Sequence, residues 1–428
     1  MKVSIKNATL QSPSSPLHGS QIDLVIENGV IAEIGDDLSA ESADEIIAVD
    51  GLMVSPGWMD CFANFCDPGS EYKETLETGC AAAGAGGYTD VMVIPQTKPV
   101  VDSKSQVQYI IEKSRAFPVN VLPIGAVTKQ TAGKELSEMY DMAVAGAIAF
   151  SDGNNPIQSA GIMQKAMEYL LATDGILIQV PDDKSIGTYG LMNEGVASTR
   201  FGLQGKPALA EELILSRDIE LARYTGAAIH FTGVSTAKSL ALIAAAKHDG
   251  LRVTCSSTPY HLFFCDEDLD NYNTNLKVNP PLRTVADREA LRKGVLDGTV
   301  DFIASHHQPQ AWDDKNCEFE YAKSGMEGLE SVFGAARACG ITLERFVAMQ
   351  TEIIRKIFKQ NIPLIQKGRD AKLTLFIADG PATFGEDNIF SKSKNNPFIG
   401  ETLIGRAIGI INGEKLFLSQ SQFSQQNF

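Results

Sequence analysis

The sequence predicts an α/β protein: a (β/α)8 TIM-like barrel plus a small β-sandwich domain assembled from both ends of the chain. Three observations carry this. The middle of the chain alternates short apolar runs with helical stretches, and eight such runs can be counted. Both ends instead carry alternating strand segments punctuated by Asn-Gly. The length, 428 residues, suits a barrel of roughly 250 residues or more with a smaller appended domain.

Taken in order, the N-terminal strands are "VSIKNATL", "IDLVIENGVIAEIG" and "EIIAVDGLMVSP", with Asn28-Gly29 placed for a hairpin turn. The same texture returns in "AKLTLFIA" and "RAIGIINGEKLFLS". Residues 1–55 and 369–428 are therefore assigned to one small β domain and 56–368 to the barrel. The barrel strands are expected at 58–62, 89–95, 119–127, 147–151, 176–180, 227–231, 252–256 and 301–305. Between them lie helix-like stretches such as "SAGIMQKAMEYLLATDG" and "ALAEELILSRDIELARYTG". The polar tail "SQSQFSQQNF" is expected to fray.

Composition narrows the function. Hydrophobic residues make up 44% and charged residues 21%, which fits a globular chain with a sizeable core. Lys and Arg number 37 against 53 Asp and Glu, a net charge of -16 that disfavours nucleic acid and anionic membranes as partners. No apolar run has the length of a membrane helix, and the N-terminus lacks a signal-type apolar core, so a cytoplasmic location is expected. Seven cysteines occur without a C-x-x-C pair. They read as free thiols of a reducing compartment, and Cys61 and Cys66 as buried thiols instead of metal ligands.

In a barrel of this kind chemistry sits at the C-terminal ends of the strands. Those ends carry Asp60, Phe62, Asn64 and Cys66, then Gln96, then Ser151 and Asp152, then Gln179. They continue with His230 and Gly233, with "TPYHLFF" and Asn279, and finally with His306, His307 and Gln310. The segments "PGWMD", "DPGSEYKETLETGCAAAGAGGYTDVMVIPQTKPV", "FSDG", "GVST", "VNPPLRTVADREAL", "GLES" and "NNPFIGETLIGRAIGIINGEKLF" fall in one order along the chain. In that order and spacing the chain resembles the class I bacterial dihydroorotases of the amidohydrolase superfamily.

The resemblance implies a hydrolase of pyrimidine biosynthesis that closes carbamoyl-aspartate to dihydroorotate reversibly. In such enzymes zinc lowers the pKa of a bound water to about 7 and polarises the scissile carbonyl. An aspartate after strand eight moves the proton. Carried over position by position, the strand-one histidines are Phe62 and Asn64, and the carboxylate-gripping arginine is Cys66. The strand-two asparagine is Gln96, the strand-four ligand Asp152 is kept, the strand-five histidine is Gln179 and the strand-six histidine is Gly233. The catalytic aspartate is His306, a nearby histidine is Gln310, and a substrate-contacting asparagine is kept as Asn279. Phe62 and Gly233 have no side-chain lone pair, and amides bind zinc poorly beside imidazole or thiolate. No catalytic residue, metal or other cofactor is therefore expected, and these ten positions form a vestigial pocket.

Two readings stay open. One is a pseudoenzyme that acts as a structural or regulatory partner of aspartate carbamoyltransferase and is itself a homo-oligomer. The other is an active dihydroorotase, or another cyclic-amide hydrolase, with a rearranged zinc site. The remaining polar residues read as structural. His230 belongs to the core, His261 packs in its loop, and His306 and His307 point to opposite faces. Lys73 is a surface ion pair, "AAAGAGGYTD" is close helix–strand packing, and Ser235 and Thr236 are helix caps. Phe62 and Cys66 are expected to leave the mouth partly apolar and closed.

Overall fold

The protein is described here from a computed structural model covering residues 1–419. The polar tail from 420 onward lies outside the described residues. The first strands are β1 (Lys2–Leu10), β2 (Gln21–Glu27), β3 (Val30–Gly35), β4 (Glu45–Ile47) and β5 (Leu52–Pro56). The barrel strands follow as β6 (Trp58–Ala63), β7 (Tyr88–Val93), β8 (Asn120–Gly125), β9 (Ala149–Phe150) and β10 (Ile176–Gln179). A short ribbon, β11 (Met192–Asn193) and β12 (Gly205–Lys206), interrupts them before β13 (Ala228–Phe231), β14 (Val253–Ser257) and β15 (Phe302–Ile303). The chain ends in β16 (Lys372–Thr383), β17 (Thr402–Asn412) and β18 (Lys415–Leu418).

Each of the eight central runs read from the sequence overlaps a barrel strand, with one or both ends shifted by one residue or more. The strands pair in parallel from β6 through β15 in chain order, the ribbon aside. Closure comes from the first and last strands. Ala63 bridges His307, and the Asn64 amide donates to the His307 carbonyl at 2.8 Å. The fully buried Asp60 carboxylate accepts from the Ser305 amide at 2.7 Å and the Ser305 hydroxyl at 2.8 Å. Burial raises the Asp60 pKa against those donors. Strand β15 is shorter than the sequence suggested because Ser305 gives its amide to Asp60, and His306 then turns the chain with φ +46°.

The intervening helices form where an apolar stripe meets a cap. In Ala160–Leu171 the buried residues are Met163, Ala166, Met167 and Leu170, spaced three and four apart, and Ser159 caps the first turn by accepting from the Ile162 amide. Thr236 caps Ala237–His248 in the same way through the Ser239 amide. Ser235 does not cap it. Its hydroxyl and amide both donate to buried Glu211, so one of the two expected caps is instead part of a core network. Gly86, in the glycine-rich segment, has no room for a side chain: a Cβ there would lie 2.3 Å from the Leu329 carbonyl. That is the close packing expected of it.

The terminal strands form one hydrogen-bonded sheet in the order β18-β17-β16-β5-β1-β2-β3, with β4 beside β1. Its inward residues, among them Val3, Ile5, Leu24, Val54, Leu373 and Ile408, make an apolar core of their own. This sheet meets the barrel floor at Trp58, whose ring packs on Phe333, Phe346 and Phe376 with centroids 5.1–5.3 Å apart. Beside it Asp90 accepts from Arg355 at 2.6 Å and from Lys372 at 2.8 Å. These two cations hold the Asp90 carboxyl down at about 2 despite its burial. The strand ends at the opposite rim are left free to carry a site.

Candidate functional site

The ten expected positions separate into two layers. Asn64, Cys66, Gln96, Asn279 and Gln310 line a cavity of about 680 Å³ at the barrel mouth. Phe62, Asp152, Gln179, Gly233 and His306 do not reach its wall and lie buried beneath it.

The lower layer is packed around His306. Its imidazole stacks on the Phe62 ring with centroids 4.5 Å apart and planes 29° from parallel. The other side is made available by Gly233, whose φ is +71°; a Cβ added there would lie 2.7 Å from His306 Cε1. The Thr232 hydroxyl bonds His306 Nε2 at 2.7 Å and accepts from the Ser256 hydroxyl at 2.9 Å. Ser256 Oγ lies 3.0 Å from His230 Nε2, and His230 Nδ1 lies 2.9 Å from the Thr254 hydroxyl. Directing every proton along this chain makes Thr232 the donor to His306 Nε2 and leaves the His306 proton on Nδ1, which has no partner among the described residues. Burial pushes both His230 and His306 down to about 3, so both are neutral near pH 7. A buried base that weak is poorly matched to proton transfer at neutral pH.

Asp152 and Gln179 are committed elsewhere. The Asp152 carboxylate accepts from the Val127 and Thr128 amides at 2.9 Å each and from the Thr128 hydroxyl. Burial outweighs those donors and pushes its pKa up to about 6. Gln179 donates to Asp218 at 3.2 Å, and burial takes that carboxyl up to about 7 although Arg217 bonds its other oxygen.

A zinc centre of the family type therefore does not fit these residues. Two of its ligand positions hold no lone pair, one amide and the single carboxylate are turned into other hydrogen bonds, and Phe62, His306 and Gly233 are packed against one another there. Among the described residues one other group has metal-like spacing: His307, Glu327 and Glu330. His307 Nδ1 accepts from the Gly328 amide at 3.2 Å, which puts the proton of a neutral ring on Nε2, 3.3 Å from the Glu74 carboxylate. In that tautomer the imidazole has no lone pair left for an ion. As expected, His306 and His307 serve different environments, and His261 is held by Thr258 and the Pro280 and Pro281 carbonyls. All seven cysteines are free thiols, and five of them are buried.

The upper layer corrects two expectations. The mouth is neither closed nor apolar. Phe62 lies beneath the floor, so the wall is set by loops bearing amides and lysines, and Cys66, pushed up to about 12 by burial, is a neutral thiol there. Lys73 does form an ion pair, 3.3 Å from Asp314, but not at the surface: it is a largely buried cavity residue that also bonds Gln310 Oε1 at 2.6 Å. The sequence reading also missed Lys98, Asp182, Lys184 and Lys206 on the wall. Lys206 Nζ donates to Asp182 at 2.7 Å and to Asn279 Oδ1 at 2.9 Å, so the retained asparagine is held by a lysine that was overlooked. One signal pointed to this segment. The stretch from β10 to the next long helix, Leu209–Thr225, is far longer than the usual two to six residues of a βα loop.

Fold and rim together define a (β/α)8 barrel of the amidohydrolase type with a terminal β domain. A family model described as dihydro-orotase-like matches residues 51–239. The chain is 41% identical over 393 residues to a dihydroorotase of Carboxydothermus hydrogenoformans, covering 90% of this chain and 91% of that one. It is 39% identical to a dihydroorotase of Syntrophus aciditrophicus, with 95% and 97% covered. Among solved structures, the L-hydantoinase (dihydropyrimidinase) of Arthrobacter aurescens superposes with a TM-score of 0.82 at 22% identity, covering 97% of this chain and 95% of that one. A D-hydantoinase superposes at 0.80 with 19% identity, covering 98% and 95%. These two share the fold. The chain belongs to the dihydroorotase family. No helix among its described residues is long and apolar enough to cross a membrane.

Proposed function

We propose that this chain is a dihydroorotase-type protein of pyrimidine biosynthesis whose hydrolytic centre is inactive and metal-free. In this reading it serves as an oligomeric, non-catalytic partner of aspartate carbamoyltransferase in the cytoplasm. The observation that carries the inactive reading is the packing of His306 between Phe62 and Gly233, where the family places metal ligands. The relatives' name supports the pathway. The partner rests on the family resemblance alone, together with the physical point that barrel packing does not depend on a metal at the strand ends.

The second reading, an active cyclic-amide hydrolase, is favoured by one feature: the mouth remains an open polar cavity of ligand size. A single experiment separates the two. Purified protein is incubated with Zn2+ or Mn2+ and assayed for dihydroorotate hydrolysis alongside elemental analysis. Background rates with no chelator-sensitive turnover are expected; stoichiometric metal with such turnover would overturn the inactive reading. Co-expression with the transferase tests the partnership. A stable complex that elutes together and raises transferase activity or stability is expected, and separate elution at micromolar concentration sinks it.

A further inference from the structure

The cavity at the barrel mouth runs against the charge of the rest of the molecule. The chain carries a net charge of -16. Its mouth is nevertheless lined by five lysines, Lys73, Lys98, Lys184, Lys206 and Lys323, with Asp182 as the single lining carboxylate. Asp314 lies behind the wall and is shared by Lys73 at 3.3 Å and Lys323 at 2.8 Å. Asp182 is taken by Lys206. Lys98 and Lys184 have no ion-pair partner among the described residues; Lys184 reaches only the Asn155 amide oxygen, at 3.0 Å. Counting both carboxylates against the five ammonium groups leaves an excess of about three positive charges around one cavity.

Three features distinguish this cavity from a solvated charged face. The lysines converge from separate loops, following β6, β7, β10 and β15, onto one concavity of about 680 Å³, which is within the range of small-molecule sites. Lys73 and Lys206 are largely buried, with side chains 14% and 13% exposed, so their charges act where screening is weak. Amide side chains, including Gln96, Asn154 and Gln308, fill the wall between them and can donate to anionic oxygens.

We propose that the mouth binds a small polyanion, a metabolite carrying three or more negative charges on phosphate or carboxylate groups, held by Lys98 and Lys184 and oriented by Lys73 and Lys206. The lysines surround the cavity, so a ligand with charges at both ends engages more of them than a compact monoanion. Cys66, where the family's arginine would grip a single carboxylate, contributes no charge. The inference rests on the reading that the mouth is not a hydrolytic centre, and the two fail separately. Dihydroorotate turnover would overturn that reading, whereas the experiment below tests binding alone.

Isothermal titration of the full-length protein with tripolyphosphate, citrate, carbamoyl-aspartate and dihydroorotate, at two chloride concentrations, provides the test. Saturable one-to-one binding of tripolyphosphate or citrate is expected, tighter than either family compound and weakened by salt. The first two probes distinguish phosphate from carboxylate as the preferred group. The double variant Lys98→Gln/Lys184→Gln touches no ion pair and should keep its melting temperature while weakening that binding by roughly tenfold or more. Absence of saturable binding by both polyanions would overturn the proposal, as would unchanged affinity in the double variant.

Discussion

Gly233→Ala should be costly for a reason that can be separated into two parts. At φ +71° a non-glycine residue gives up about 1–2 kcal/mol of backbone energy. Its Cβ would also lie 2.7 Å from His306 Cε1, and overpacking of this kind costs about 1–3 kcal/mol. The ring cannot retreat freely, because Phe62 stacks on its other face and Thr232 holds Nε2. The variant should therefore lose about 2–5 kcal/mol of stability, the sum of the two terms. In a His306→Ala background the steric part has no partner, and only the backbone part, about 1–2 kcal/mol, should remain. Equilibrium urea unfolding of the four proteins, followed by Trp58 fluorescence in a Trp312→Phe background, measures the coupling. Trp58 is fully buried at the barrel floor and Trp312 is exposed, so the signal reports the barrel. A coupling within about 0.5 kcal/mol of zero would mean that residue 233 and His306 do not share the space, and the account of the packed lower layer would fail.

Three further outcomes are expected. Asp152 has its folded pKa raised to about 6 against about 3.9 unfolded, so its favourable contribution is complete below about pH 3.9 and is lost as pH rises through 6; Asp152→Asn should gain up to about 3 kcal/mol relative to the parent by pH 7, read from urea midpoints across that range. His230, His261 and His306 shift the other way, to about 3 from about 6.5, so the stability they contribute is complete above pH 6.5 and lost towards pH 3; His306→Gln should flatten the acid limb of a pH–stability curve, and an unchanged limb would count against the buried neutral imidazole. Asp90→Ala leaves Arg355 buried without its anion and should destabilise the barrel floor by roughly 3–5 kcal/mol in the same unfolding assay; a loss under about 1 kcal/mol would show that the junction with the terminal sheet does not depend on that pair.

The fold was legible because periodicity and punctuation agree along the chain. Apolar runs ending at Asp60, Asp152 and Gln179 alternate with helical stretches, and parallel pairing of such runs requires crossovers of that length. The ten candidate positions could be named only through the family pattern. Their arrangement was not legible. Nothing in a one-dimensional reading shows that a glycine at 233 and a histidine at 306 occupy the same few cubic ångströms, because the contact joins residues 73 positions apart that follow two non-adjacent strands, β13 and β15. The lysines of the wall were missed for a related reason. They are dispersed from Lys73 to Lys323 in a chain rich in acidic residues, and local charge counts dilute them. Only closure of the barrel gathers them on one rim.

On the proposed inactive reading, the same geometry explains how the strand ends stay packed without a metal. A metal centre places several polar side chains in a low-dielectric space, where each is costly once the ion is gone. Here the corresponding space holds a ring pair, a glycine and a proton-ordered chain running from His306 through Thr232 and Ser256 to His230. Single histidine substitutions do not fit this space as it stands. A histidine at 233 collides with His306, and an imidazole at 62 removes the apolar face on which His306 stacks. An aspartate at 306 would bury a carboxylate and give up the ring that stacks on Phe62 and bonds Thr232. Phe62, Gly233 and His306 fill the space together, so the lower layer is a packed core in its own right. The upper layer, with its lysines and open volume, is separate from that packing, so a ligand can enter it without disturbing the core below.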